Sequence, residues 1–193
     1  QKEFNRQEFL AKNKLSSKPV IALLPGSRNQ EIIKLLPLML DVVSNFKDYQ
    51  IIIAGAPNKS INYYEKIILS NKESRSSIKV ICNQTYDILR ISSAAIVTSG
   101  TATLETALFK VPEVVCYKSS WISYQIGRQL VKLKFISLVN LILNKEVVTE
   151  LIQGDFNSER ITKELSSILE GPVREAQFEA YHELETVLGG PGA

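Results

Sequence analysis

Two short glycine-bearing turns hold the residues whose types and spacing could do chemistry. Pro25-Gly26-Ser27-Arg28 follows the apolar run Val20–Leu24, and Thr98-Ser99-Gly100-Thr101 follows Ala95–Val97. A turn of small residues between a strand and a helix leaves backbone N–H groups at the positive end of the helix dipole, where anions bind. Arg28 adds a permanent charge whose planar fork matches phosphate. Glu105 lies four residues after Thr101, so both share one helix face about one turn apart. A carboxylate would repel a phosphate beside it, but it suits a neutral diol one turn away. Phosphate next to a diol describes a nucleotide ribose. The same residues also fit an ordinary capped helix with a solvent-facing Glu105 and a surface Arg28.

Apolar runs alternating with amphipathic segments must position these turns. Val20–Leu24, Gln50–Ala54, Ser77–Cys82, Ala95–Val97 and Glu113–Tyr117 read as strands, mostly continuous apolar runs of the kind covered on both faces. Helices are expected over 3–14, Glu31–Phe46, Ile61–Leu69, Thr85–Ser92 and Thr101–Phe109, with Pro37 kinking or breaking the second. Strands alternating with helices predict an α/β fold, a Rossmann-like parallel sheet of five or six strands flanked by helices. Beyond the fifth strand, Ile136–Leu143 reads as a possible sixth strand and Val147–Ile152 as a short helix. Helices close the chain at Ser158–Leu169, with Ser158 as N-cap, and at Val173–Leu188. Residues 18–154 form the domain proper, 1–17 an N-terminal flanking helix and linker, and 155–193 C-terminal helices with a truncated end.

In the commonest doubly wound order, 3-2-1-4-5, the order reverses between strands one and four. Ligands bind at that switch point, outside the carboxyl ends of the strands. The two turns that meet there are Pro25–Arg28 and Thr98–Thr101.

Composition narrows the classes. The 193 residues are 45% hydrophobic and 22% charged, as in an ordinary globular protein. A net charge of +3 is too mild to argue for a nucleic-acid partner. Cys82 and Cys116 sit in apolar runs and read as buried thiols of a reducing compartment. The lone histidine, His182, lies in the charged C-terminal helix and reads as a surface residue. No run approaches a membrane span, and no signal peptide is visible. The chain starts at Gln1 rather than Met and ends abruptly, so it is expected to be a fragment.

Rival motifs fail. There is no Gly-x-x-x-x-Gly-Lys-Ser/Thr, no Gly-x-Gly-x-x-Gly after the first strand, no Gly-x-Ser-x-Gly and no clustered metal-ligand set. What remains is a site for a pyrophosphate carrying a ribose, which fits a nucleotide-sugar donor. Arg28 and the helix N-terminus would then stabilise the departing nucleoside diphosphate.

Leu23-Leu-Pro-Gly-Ser-Arg28, Ser99-Gly-Thr-Ala-Thr-Leu-Glu105, Val114-Val-Cys-Tyr-Lys118, Val139-Asn-Leu-Ile142 and Lys145–Gln153 resemble, in order, the C-terminal donor-binding half of lipid-A-disaccharide synthases. The resemblance implies a GT-B glycosyltransferase of two Rossmann-like domains with the active site between them. It implies transfer of 2,3-diacylglucosamine from its UDP derivative to a lipid acceptor, 2,3-diacylglucosamine 1-phosphate. The product is a β-1,6-linked disaccharide formed with inversion, and UDP is released. No metal or other cofactor is implied. The general base is expected on an N-terminal domain that this chain lacks, so the fragment should bind donor without catalysing alone. The implied place is peripheral, on the cytoplasmic face of the inner membrane.

By position, Arg28, with Gly26 and Ser27 in the same turn, would hold the phosphates. Ser99, Gly100 and Thr101 would supply pyrophosphate donors, and Glu105 would take ribose hydroxyls. The loop Asn83–Tyr86, including Thr85 and Tyr86, would meet a uracil; many members of the family carry a glycine near Asn83. Asn140, Glu146 and Gln153 match cleft positions, although Asn140 also reads as a turn residue and Glu146 as a helix N-terminal charge. The basic stretch 118–134 fits an anionic membrane surface; its Trp121, Ile122, Ile126, Leu130 and Leu133 equally fit a core face. Two alternatives stay open: a UDP-sugar epimerase of the same fold, and a non-catalytic nucleotide-binding module.

Overall fold

The computed structural model describes residues 4–71, 78–118 and 134–189. Six parallel strands run β1 (Val20–Leu24), β2 (Gln50–Gly55), β3 (Ile78–Cys82), β4 (Ser92–Thr98), β5 (Glu113–Tyr117) and β6 (Thr149–Ile152). Their order is β3-β2-β1-β4-β5-β6. The expected reversal between strands one and four is therefore present. The helices among the described residues are α1 (Arg6–Lys12), α2 (Asn29–Val43), α3 (Ile61–Ser70), α4 (Thr85–Ile91), α5 (Thr101–Leu108), α6 (Leu138–Leu143), α7 (Ser158–Leu169) and α8 (Pro172–Val187).

Alternate residues of the central strands serve opposite layers, as the period of two requires. Ile21, Leu23, Ile96 and Val114 pack with α2 and with Ile161, Leu165 and Ile168 of α7. Ala22, Leu24, Ala95 and Val97 pack with Phe9 of α1 and with Ile88, Leu89 and Ile91 of α4. Val115 turns to a third cluster with Ala107, Val139, Tyr181 and Leu184, which seats α8. Each large apolar side chain so buried contributes about 1.5–3 kcal/mol relative to exposure.

Three local expectations are corrected. First, Pro37 does not break α2, which continues to Val43. The ring removes the donor that the carbonyl of Ile33 would use, but Ile33 lies on the solvent side (58% exposed), where water can replace it. Second, Ile136–Leu143 is no strand: Leu138–Leu143 is a helix capped by Ser137, whose Oγ accepts from the Asn140 N–H at 3.3 Å. Third, Val147–Ile152 is no helix: Thr149–Ile152 is the sixth strand, pairing Val114–Tyr117 in register. In addition, Asn157 rather than Ser158 caps α7, accepting from the Arg160 N–H at 3.0 Å. Asn and Ser cap equally well, so the choice between neighbours falls to the backbone.

Cys116 is buried and Cys82 partly so, and both are free thiols. Burial pushes both thiols above their ordinary pKa. No helix among the described residues is long and apolar enough to cross a membrane. Of the basic stretch 118–134, residues 119–133 lie outside the described residues; only Lys118 and Lys134 are described.

Candidate functional site

Strand register brings the two turns together. Leu24 pairs with Val97, so the chain leaves β1 and β4 side by side at their carboxyl ends. Between the turns opens a cavity of about 940 Å³. Its walls include Gly26, Ser27, Arg28, Ser99, Gly100 and Thr101. Thr85, Tyr86 and Glu105 complete the set of sequence-predicted residues that reach it.

The first turn is built around Gly26 and Glu31. Gly26 has φ +94°, and a Cβ there would meet Glu31 Oε2 at 2.6 Å. Glu31 sits in the first turn of α2 and accepts from the Arg28 N–H at 3.3 Å. The same carboxylate meets the Arg28 guanidinium at 3.1 Å. Arg28 is otherwise in solvent, its side chain 83% exposed. A fully charged, largely hydrated guanidinium on a fixed backbone can turn to an incoming phosphate at little cost.

The second turn pivots on Gly100, at φ +153° and ψ −163°. That region is essentially reserved for glycine. A Cβ at Gly100 would meet nothing within 4 Å, so the backbone faces open space. Behind it, Thr101 and Ala102 begin α5, with no preceding turn to accept their N–H groups. Thr103 fastens the turn by donating to the Gly100 carbonyl at 2.9 Å. Ser99 lines the cavity but is not a free donor. Its N–H bonds the Cys116 carbonyl at 3.0 Å and its hydroxyl bonds the Ile136 carbonyl at 2.9 Å. The donors of this turn are therefore those around Gly100 and Thr101, with Ser99 as an anchor.

Glu105 stands half-buried one turn along α5. The Tyr86 hydroxyl lies 3.4 Å from its Oε1. Asn83, at the other wall, adopts φ +60°. Left-handed backbone suits Asn and Gly above other residues, which accounts for asparagine standing near a position where glycine was expected.

Three expected residues do not reach the cavity. Asn140 is buried with its amide fully committed: Nδ2 donates to the Val148 carbonyl (2.8 Å) and Glu150 Oε1 (2.9 Å), while Oδ1 accepts from the N–H groups of Val147 (2.7 Å) and Val148 (3.0 Å). Glu146 is exposed beyond α6. Gln153, at φ +54°, ends β6 by donating its N–H to the Tyr117 carbonyl at 2.9 Å.

Three wall features were missed as site residues from sequence. Glu31 braces the first turn. Gly55–Pro57 closes the wall after β2, the third carboxyl-end turn at the same rim. Thr98 is 5% exposed and its Oγ1 has no partner among the described residues. The rule that ligands gather at carboxyl ends could have nominated Gly55–Pro57. Among the described residues no cluster of His, Cys, Asp and Glu could hold a metal ion.

The lipid-A-disaccharide synthetase family model matches residues 1–188. The lipid-A-disaccharide synthase of Anaeromyxobacter sp. (strain K) is 37% identical over 183 residues, which are 92% of this chain and 47% of that protein. The chain belongs to the lipid-A-disaccharide synthetase family. The synthase of Syntrophus aciditrophicus (strain SB) is 42% identical over 178 residues, 90% of this chain and 46% of its own. The chain thus spans about half the length of the curated relatives it matches. Among solved structures, the C-terminal domain of a glycosyl transferase group 1 family protein from Francisella tularensis aligns with a TM-score of 0.63 at 14% identity, covering 97% of this chain and 94% of that one. That likeness is one of fold, the Rossmann-like domain of GT-B glycosyltransferases.

Proposed function

We propose that this chain is the donor-binding half of an inverting glycosyltransferase. In this reading it holds UDP-2,3-diacylglucosamine while the acylated sugar passes to 2,3-diacylglucosamine 1-phosphate, giving the β-1,6-linked lipid A disaccharide and UDP. The observation that carries the reading is the convergence of Arg28, the Gly100–Thr101 N–H groups and Glu105 on one cavity. Arg28 and the α5 N-terminus face the pyrophosphate and stabilise charge as it departs with UDP. Glu105 takes the ribose diol, and the loop Asn83–Tyr86 meets the uracil. No residue of this cavity is assigned as general base. The base and the acceptor site belong to the remainder of the full-length protein, so this chain binds without turning over. Residues 18–154 carry the site, between the flanking segments 1–17 and 155–193. The segment 118–134 contacts anionic lipid on the cytoplasmic face of the inner membrane, where both substrates are held.

Calorimetric titration with UDP, UMP and NAD tests the reading. UDP should bind more tightly than UMP, and Arg28→Ala and Glu105→Ala should each weaken it. Failure of UDP to bind, or indifference to both substitutions, ends the assignment, and preference for NAD replaces it. An epimerase would need a histidine in the cleft. His182 instead stands on α8 with its side chain 73% exposed, against Lys110 and Glu185.

A further inference from the structure

We infer that Tyr86 is a positioning residue that aims Glu105 at the ribose diol, and so sets the preference of this site for ribonucleotides. The inference rests on the proposed reading of Glu105. Tyr86 belongs to α4 and Glu105 to α5, so the pair spans two elements that approach only in the folded chain. The Tyr86 ring stacks on Phe109, with centroids 5.2 Å apart and planes at 28°. Phe109 follows Glu105 by four residues, so stacking places the ring on the helix face that carries the carboxylate. Arg90, four residues after Tyr86, lies 5.5 Å from the Phe109 ring and 5.2 Å from that of Phe4. Asp87 fixes Arg90 through a 2.8 Å ion pair.

Held in this way, the tyrosine hydroxyl stands 3.4 Å from Glu105 Oε1. Oε2 has no protein partner among the described residues. A carboxylate with one oxygen tied presents the other in a single orientation, which a vicinal diol can meet with its two hydroxyls. Tyr86 is itself 52% exposed, so its ring is kept in place by Phe109 rather than by a surrounding core. The geometry divides the residue in two. The ring supplies position, and the hydroxyl supplies aim.

The division makes the inference testable on this chain with UDP and 2′,3′-dideoxy-UDP as probes. The wild-type chain should favour UDP by roughly tenfold or more, because hydrogen bonds to a charged group set the difference. Glu105→Ala should abolish that preference. Tyr86→Phe keeps the stack and removes the aim; it should cut the ratio of UDP to dideoxy-UDP affinity about fivefold. Tyr86→Ala should lose the preference too, and thermal unfolding with circular dichroism checks that each variant is folded. If phenylalanine restores the full preference that alanine loses, Tyr86 acts through packing alone and the inference falls while the Glu105 reading stands. If the wild-type chain does not distinguish the probes, or Glu105→Ala keeps the distinction, the Glu105 reading falls and takes this inference with it.

Discussion

Two polar clusters could both have been taken for a site. One surrounds Arg28, Gly100 and Glu105; the other joins Ser137, Asn140 and Glu150. In the second, every polar group answers another. Glu150 accepts from the N–H groups of Ile136 and Ser137 at 2.9 Å each, from the Ser137 hydroxyl at 2.8 Å and from Asn140 at 2.9 Å. In the first, Arg28 is mostly in solvent, Gly100 faces open space and Thr98 has an unpartnered hydroxyl. A saturated buried network specifies structure. A cluster with donors left over has polar groups free to take a ligand, as the proposed function requires. Residue type does not separate the two, because Asn and Glu occur in both settings; the count of committed hydrogen bonds does.

The sharpest way to break this contrast is Asn140→Ala. It should destabilise the fold by about 3–5 kcal/mol, because several buried partners lose their bonds together. Denaturant unfolding measures the loss. An unaltered midpoint with weakened UDP binding would move Asn140 to the site. Arg28→Ala should do the reverse: UDP affinity falls roughly 30-fold, about 2 kcal/mol, with little change in melting temperature. A surface arginine without a ligand would leave calorimetry unchanged.

A third polar group belongs to neither cluster and tests the contrast by pH. Glu113 opens β5 at the opposite end of the sheet, fully buried, and neither carboxylate oxygen has a partner among the described residues. Gln177 of α8 engages its backbone instead, accepting from the N–H at 2.9 Å and donating to the carbonyl at 3.2 Å. Burial holds the Glu113 carboxyl well above its ordinary value of 4.5. Its folded pKa exceeds its unfolded one, so the protonated carboxyl is tolerated in full below about pH 4.5. As pH rises, the unfolded chain releases the proton first and stability declines until the folded pKa is reached. Glu113→Gln should remove that decline, so the variant gains stability over wild type between pH 4.5 and pH 8. Melting curves at the two pH values decide it, and parallel curves would show that Glu113 ionises freely. The smallest effect is expected at the surface. Lys145 pairs with Glu183 of α8, both half-exposed. Lys145→Ala should cost under about 0.5 kcal/mol and vanish in high salt.

Much of this was legible along the chain, for reasons that can be named. The strand β1 is an unbroken apolar run, and β2 and β5 are apolar after a first polar residue, the pattern of strands covered on both faces. The glycines at 26 and 100 mark backbone that other residues resist. The spacing from Thr101 to Glu105 puts the two residues on one helix face about one turn apart whatever the surrounding fold. These are local facts of chain geometry, so the α/β class and the two turns could be read from the chain alone.

Tertiary structure decided what depends on residues far apart in sequence. Ile136–Leu143 and Val147–Ile152 exchanged roles because short apolar stretches carry no decisive period. The helix is held by Glu150, ten or more residues away, and the strand exists only because the edge of β5 is open to it. Asn140 is buried and committed by the same contacts, away from the cavity walls. Ser99 kept its place at the cavity but spent its donors on Cys116 and Ile136. Glu31, Thr98 and Gly55–Pro57 joined the wall because parallel register brings carboxyl ends to one rim. Spacing along a chain shows which groups can share a face; only packing shows which of them remain unsatisfied.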